Sequence, residues 1–118
     1  MEKVEKVWGF EEIWVNNELY CCKFLHIKKN YRSSYHYHKA KDETFVVFEG
    51  EVMLRRQFHV DKVIVPGDVV RIPPNMLHSF EGLLDSVLLE VSTHDTPDDS
   101  FRYGKSCCVL DSVKKEMI

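Results

Sequence analysis

The chain has 118 residues, of which 44% are hydrophobic and 30% charged, and this composition argues against collagen, coiled coil and disorder. Its length suits one domain that buries its own core. The net charge of −3 gives no strong field that would attract nucleic acid or an anionic membrane, and no apolar run approaches the roughly 18 residues of a spanning helix.

The predicted elements are short strands rich in Val, Ile, Leu and aromatic residues, separated by turn residues. In chain order they cover residues 11–15, 20–28, 43–48, 52–58, 62–65, 69–72, 78–81 and 86–92. Many short, evenly spaced strands predict a sandwich, jelly roll or barrel. The Glu49-Gly50 pair suits a tight hairpin, because glycine accepts a positive φ, and the double proline at 73–74 requires a bend.

The ends of the chain carry weaker signals. We expect one domain over 1–118, with the barrel core at about 8–93 and a C-terminal appendage at about 94–118 that includes a marginal helix over 111–117. The charged N-terminus lacks the apolar core of a secretory signal, which predicts a cytoplasmic protein.

The cysteines form two adjacent pairs, at 21–22 and 107–108. Reduced thiols are the favoured interpretation, and a bridge between the pairs is the alternative.

The stretch SYHYHKAKDET at 34–44 carries the strongest chemical signal. Residues two apart on a strand project from the same face, so His36 and His38 point the same way. A four-residue turn then brings Glu43 to the start of the next strand, and His78 follows the double-proline bend. The alternative is an exposed turn that carries histidine by chance. Three imidazoles and a carboxylate suit Zn, Mn, Fe, Co or Ni, of which we favour zinc.

Two longer motifs contain these residues. The stretch His36-x-His38-x4-Glu43-x6-Gly50 resembles the first cupin motif, and the stretch from Gly67 to His78, through the double proline, resembles the second. The resemblance implies an all-β, double-stranded β-helix (a cupin or jelly-roll barrel). It also implies one divalent metal held inside the barrel by the residues matching His36, His38, Glu43 and His78.

The flanking residues narrow the resemblance further. Segments 8–14, 23–27, 32–34, 41–44 and 89–93 look like the cupin-type mannose-6-phosphate isomerases, including the cupin domain of the bifunctional enzymes that also carry a guanylyltransferase. Members of that group often have Gln where this chain has His36. The likeness implies a metal-dependent isomerase or epimerase of a sugar or sugar phosphate, and a homodimer that pairs through a sheet edge or a swapped strand.

Three further residues are candidates for the chemistry. Glu90 stands among apolar residues, so burial would raise the pKa of its carboxyl and favour a role as catalytic base; pairing with an interior cation is the alternative. Lys23 and Arg32 are candidates for substrate binding, with a solvated rim as the alternative. Lys39 and Lys41 are expected to be surface charges on the turn.

The same residues also suit two other functions. A three-histidine, one-glutamate cupin site also serves iron-dependent dioxygenases, and a cupin can bind a sugar or another small molecule without converting it. Trp8 and Trp14 suit either a sugar-binding mouth or the core. The remaining histidines, which are His26, His59 and His94, are expected to be surface or packing residues.

Overall fold

A computed structural model describes residues 1–109, and it places their strands in two antiparallel sheets, of which one begins with the N-terminal hairpin. The all-β, double-stranded β-helix predicted from the sequence is confirmed. The helix predicted over 111–117 lies outside the described residues. Within residues 1–109, no helix has the length and apolarity needed to cross a membrane.

The strands are β1 (Glu2–Lys6), β2 (Gly9–Asn16), β3 (Cys21–Ile27), β4 (Tyr31–Arg32), β5 (Tyr35–Tyr37), β6 (Glu43–Glu49), β7 (Val52–Arg56), β8 (Lys62–Ile64), β9 (Val69–Ile72), β10 (His78–Gly82), β11 (Ser86–Ser92), β12 (Phe101–Tyr103) and β13 (Cys107–Cys108). A 3-10 helix, Pro97–Asp99, follows β11. The first sheet has the order β1-β2-β3-β11-β6-β9. In the second, β10 lies between β7 and the successive strands β4 and β5, which in turn pair with β13 and β12; β8 pairs with β7.

The apolar core lies between the sheets. The first sheet contributes Leu25, Phe45 and Leu88, and the second contributes Leu54 and Phe80, all at most 3% exposed. Along β3, β6, β7 and β11 these residues alternate with exposed or half-buried ones, as expected for a sheet with one face toward the core, whereas on β10 the neighbour of Phe80, Ser79, is also buried. The four cysteines are free thiols.

The chain crosses between the sheets at Gly50. The sequence predicts a tight hairpin there, and this prediction is wrong: β6 belongs to the first sheet and β7 to the second, so the two strands do not pair. Gly50 has φ +88°, and a Cβ atom at this position would lie 2.2 Å from the hydroxyl oxygen of Ser86. Glycine is required by a close approach of two segments as well as by the turn.

Two strands within residues 94–109 join the second sheet. β12 pairs with β5, and β13 pairs with β4. β12 belongs to the part of the chain that the sequence predicts to be a C-terminal appendage, and it lies directly against β5, the strand that carries His36.

Candidate metal centre and its cavity

Two neighbouring strands bring three histidines together. His36 on β5 is the cross-strand partner of His78 at the start of β10, and His38 follows β5 on the same face as His36. One ligand nitrogen from each ring lies within 4.8 Å of the others. Strand alternation therefore brings together the three imidazoles that the sequence predicts.

The tautomer of each ring is set by a backbone carbonyl. The Nδ1 atoms of His36, His38 and His78 lie 2.9, 2.7 and 2.9 Å from the carbonyl oxygens of Ser34, Asp99 and Met76, in that order. A carbonyl can only accept a hydrogen bond, so each Nδ1 carries the hydrogen and each neutral ring keeps its lone pair on Nε2. This is the arrangement of imidazoles that ligate a metal through Nε2.

Burial keeps two of these rings neutral. It lowers the pKa of His36 to about 3, and the nearby imidazole of His78 acts in the same direction. Burial also lowers the pKa of His38, together with the charge of Lys41. A neutral imidazole is the form that donates electrons to a metal, so both rings are ready ligands near pH 7.

Glu43 adds a carboxylate to the three imidazoles. Its Oε1 atom lies 2.9 Å from Nε2 of His78 and 3.8 Å from Nε2 of His38. Neither Oε1 of Glu43 nor Nε2 of His78 has a hydrogen-bond partner within the described residues, although both atoms are buried. In the tautomer that Met76 sets, both atoms are electron-pair donors, and at 2.9 Å they repel each other unless a cation, either a metal ion or a proton on Nε2, lies beside both. These residues therefore fit a metal ion.

The carboxyl of Glu43 stays ionised in spite of its burial. Burial acts to raise its pKa, but His78 and the ammonium of Lys41 more than offset this effect and hold the pKa below the usual range for Glu. The second carboxylate oxygen, Oε2, lies 3.0 Å from Nζ of Lys41. One oxygen thus faces the histidines while the other is held by a cation.

Lys41 is buried, so its prediction as a surface charge is wrong. Its side chain is 4% exposed, and its Nζ atom also lies 3.3 Å from Glu90 and 3.1 Å from Asp95. The reason is strand parity: Lys41 stands two residues before Glu43 and projects to the same interior side. That parity is the signal from which the buried position could have been predicted.

Glu90 lies in β11, facing the cavity, as its predicted role requires. It is 3% exposed. Complete burial, reinforced by the charge of Glu43, raises the pKa of Glu90 to about 7, although Lys41 and Lys23 act to lower it. A carboxyl with this pKa exchanges a proton readily near neutral pH.

The two predicted substrate-binding residues lie in different places. Lys23 lines the cavity, where its Nζ atom lies 2.6 Å from Asp95 and 3.5 Å from Glu11. Arg32 is half-buried on β4, opposite Glu81, and it is not among the described residues that line the cavity. Both residues between β4 and β5, at 33 and 34, are buried, so the alternation that relates His36 to Arg32 is broken.

His36 and His38 line a cavity of about 980 Å³, which is large enough for a small organic molecule, and His78 lies buried directly behind them. The charged and imidazole groups on its inner wall come from Lys23, His36, His38, Lys41, Glu43 and Glu90. Two wall residues were not predicted from the sequence: Asp95, which pairs with both lysines, and Arg102, which is exposed and lies opposite His36. Neither has a motif or a periodicity that would have identified it.

Of the two tryptophans and the three remaining histidines, some are buried and others lie at the surface. Trp8 is buried with its ring edge-on to Phe80 at 4.9 Å. Both tryptophans contribute to the cavity wall, but the ring of Trp14, which is 59% exposed, packs edge-on to Phe24 on the outer face of the first sheet. His26 stacks on Phe10 at 4.2 Å. The other two histidines, His59 and His94, are exposed, so the prediction of surface or packing roles is confirmed.

Comparison with known proteins supports one family. Residues 23–91 match the family model described as "Cupin domain". No curated protein sequence matches the chain.

Three solved structures illustrate the shared fold. KdgF from Halomonas sp. is 15% identical, with a TM-score of 0.74 over 83% of this chain and 90% of that one. An RmlC-like cupin from Shewanella frigidimarina is 21% identical, with a TM-score of 0.72 over 82% and 86%. Oxalate decarboxylase from Bacillus subtilis is 15% identical, with a TM-score of 0.74, and the match covers 86% of this chain but 29% of that one. At these identities the likeness shows the fold alone.

Proposed function

The chain belongs to the cupin family, and we propose that it is a metal-dependent isomerase or epimerase of a sugar or sugar phosphate, of the cupin mannose-6-phosphate isomerase type. The observation that carries the proposal is the pairing of two features in one cavity. Three Nε2 lone pairs converge at one point, and the buried carboxyl of Glu90 lines the same space.

Four residues would hold the metal, namely His36, His38, His78 and Glu43. Their donor set suits zinc first, and Mn, Fe, Co or Ni as well. A divalent metal bound there supplies a Lewis acid for the oxygens of the substrate. In the same cavity, two buried lysines face the carboxyl groups of Glu11, Glu43, Glu90 and Asp95, and this excess of negative charge also favours a bound cation.

Glu90 is the proposed catalytic base. Aldose–ketose isomerisation moves a hydrogen between two adjacent carbons of an open-chain sugar, and a carboxyl with a pKa of about 7 can accept that proton and return it. Lys41 holds Oε2 of Glu90 at 3.3 Å and so fixes the carboxyl in the cavity. Lys23 is proposed to orient substrate oxygens, since its ammonium lines the same wall.

The proposal is tested by metal analysis followed by a substrate panel. Protein purified without added metal is analysed for its elements, stripped with a chelator and reloaded with that metal. It is then offered aldoses, ketoses and their phosphates, including fructose 6-phosphate and mannose 6-phosphate. We expect interconversion of one pair, a loss of about 100- to 10,000-fold in Glu90→Gln with metal retained, and no metal retention in His36→Ala/His78→Ala.

Other outcomes would point to other functions. Tight binding of a sugar without turnover would indicate a non-catalytic binding cupin. Retention of Fe(II) with consumption of O₂ would indicate a dioxygenase. Absence of turnover over the whole panel would overturn the isomerase proposal.

We further propose a cytoplasmic homodimer. Its support is the outer face of the first sheet, where Phe24 lies edge-on to Trp14 at 5.8 Å and to Phe48 at 5.5 Å. Trp14, Phe48 and Val69 are 59%, 58% and 64% exposed, so this face presents large apolar side chains of the kind that interfaces cover. The outermost strands of this sheet, β1 and β9, are the edges at which a partner strand could also pair. The four free thiols suit a reducing compartment.

Light scattering coupled to size-exclusion chromatography tests the dimer. We expect a mass of two chains for the unmodified protein and of one chain for Phe48→Glu. Phe58→Glu is the matched control, because Phe58 is 94% exposed in the turn between β7 and β8 of the other sheet. A monomeric unmodified protein at micromolar concentration would contradict the proposal.

A further inference from the structure

The turn between β5 and β6 is held by one residue from the C-terminal segment. The turn lies between His38 and Glu43, and three of its successive amides point at the carboxylate of Asp99. Oδ1 of Asp99 accepts from the amide nitrogens of Lys39 at 2.7 Å and Ala40 at 3.2 Å, and Oδ2 accepts from those of Ala40 at 3.1 Å and Lys41 at 2.9 Å. Such bonds between amides and a carboxylate are stronger than neutral ones.

Asp99 also contacts a proposed metal ligand. Its backbone carbonyl accepts the Nδ1–H of His38 at 2.7 Å, and this bond leaves Nε2 of His38 facing the other imidazoles. The carboxylate and the carbonyl belong to the same residue, so the bonds to the turn also fix the position of the carbonyl. The residue lies 61 positions after His38 in the chain, at the end of the 3-10 helix.

We propose that Asp99 is a positioning residue that sets the metal affinity of the site by fixing both the ring of His38 and the turn that leads to Glu43. The inference rests on the proposed metal centre. Without the carboxylate, three amides lose their acceptor and the carbonyl beneath His38 is free to move. Loss of such a supporting partner typically lowers metal affinity by about 10- to 100-fold.

The test measures the affinity of the chelator-stripped full chain for Co²⁺ and Zn²⁺. We expect Asp99→Ala to bind Co²⁺ about 10- to 100-fold more weakly, with an altered visible absorption spectrum. Asp98→Ala is the matched control: Asp98 lies next to Asp99 in the same helix, is exposed, and makes no hydrogen bond or ion pair within residues 1–109. It should bind as the unmodified protein does.

A second variant and a metal-free measurement complete the test. Asp99→Asn keeps one oxygen that can accept from the amides, so its affinity for Co²⁺ should lie between those of the unmodified protein and Asp99→Ala. This variant tests the role of Asp99 if Asp99→Ala does not fold. In metal-free protein, ¹⁵N chemical shifts should show His38 protonated at Nδ1, and mixed tautomers in the variants. Equal affinities and unchanged tautomers in folded variants would overturn the role of Asp99 alone, whereas an unmodified chain that binds neither metal would overturn the metal centre with it.

Discussion

Replacing Glu90 by Gln should stabilise the metal-free protein above neutral pH. Glu90 is fully buried, and its pKa rises from 4.5 in the unfolded chain to about 7 in the folded one. The folded state therefore keeps this proton over a range of pH in which the unfolded state has already released it. Stability contributed by the protonated carboxyl is complete below about pH 4.5 and is lost as the pH rises toward 7.

The size of this loss follows from the two pKa values. Each unit of difference corresponds to about 1.4 kcal/mol, so ionisation of Glu90 costs about 3 kcal/mol above pH 7. Gln has the shape of the protonated form and does not ionise. We expect the free energies of unfolding of the two proteins to lie close together near about pH 4.5 and to diverge to about 3 kcal/mol, in favour of Glu90→Gln, near about pH 8.5.

Urea unfolding followed by tryptophan fluorescence, with a chelator present, measures these free energies across the pH range. Parallel stability curves for the two proteins would refute the reasoning, because they would mean that Glu90 ionises equally easily in both states. A variant less stable at every pH would show that the contact with Lys41 at 3.3 Å outweighs the cost of burial. The expected result combines higher stability with lost turnover, as is usual for a buried catalytic group.

Two further predictions concern stability, and each has its own control. Lys41→Met removes a cation that three buried or half-buried carboxylates share, so it should lower the free energy of urea unfolding by about 3–5 kcal/mol. Lys39→Met is the control: Lys39 is exposed, and its replacement should change this free energy by less than about 1 kcal/mol. An equal effect of the two would contradict the buried network. Gly50→Ala should lower the free energy of unfolding more than Gly67→Ala does, by about 1–3 kcal/mol in thermal unfolding. Both glycines have a positive φ, but of the two only Gly50 has neighbouring atoms that an added Cβ would meet. Equal losses would show that backbone strain alone matters at Gly50.

Two of the three histidines were predictable because their signal is local. His36 and His38 are two apart on a strand, and strand alternation alone places them on one face. His78 required the second motif, since its position beside His36 depends on the pairing of β10 with β5. The bend predicted at the double proline, 73–74, is confirmed: β9 ends before it in the first sheet, and β10 begins after it in the second.

The supporting residues were not predictable, because their contacts are long-range. Asp99 reaches the site from a polar loop, 58 residues after the Lys41 amide and 61 after the His38 imidazole that it binds, and Asp95 of the same loop binds the ammonium of Lys23 from 72 residues away. Polar loops of this kind are common and carry no periodicity. Glycine at position 50 shows a related limit: the residue required for a hairpin is also the residue required for a crossing between sheets. The charged strand β1 was missed because edge strands carry charge and lack the apolar alternation of inner ones.

The repeated crossing between the sheets has a consequence for how the protein folds. The middle of the first sheet joins residues from three distant parts of the chain, because β11 pairs with both β3 and β6. Pairings of this kind close long loops before they form stabilising contacts, so we expect folding on the order of milliseconds to seconds in one cooperative step. No isolated hairpin of this chain contains both His36 and His78. We therefore expect the proposed metal centre to assemble late, with the closure of the whole barrel, and to be lost with the first event that opens it.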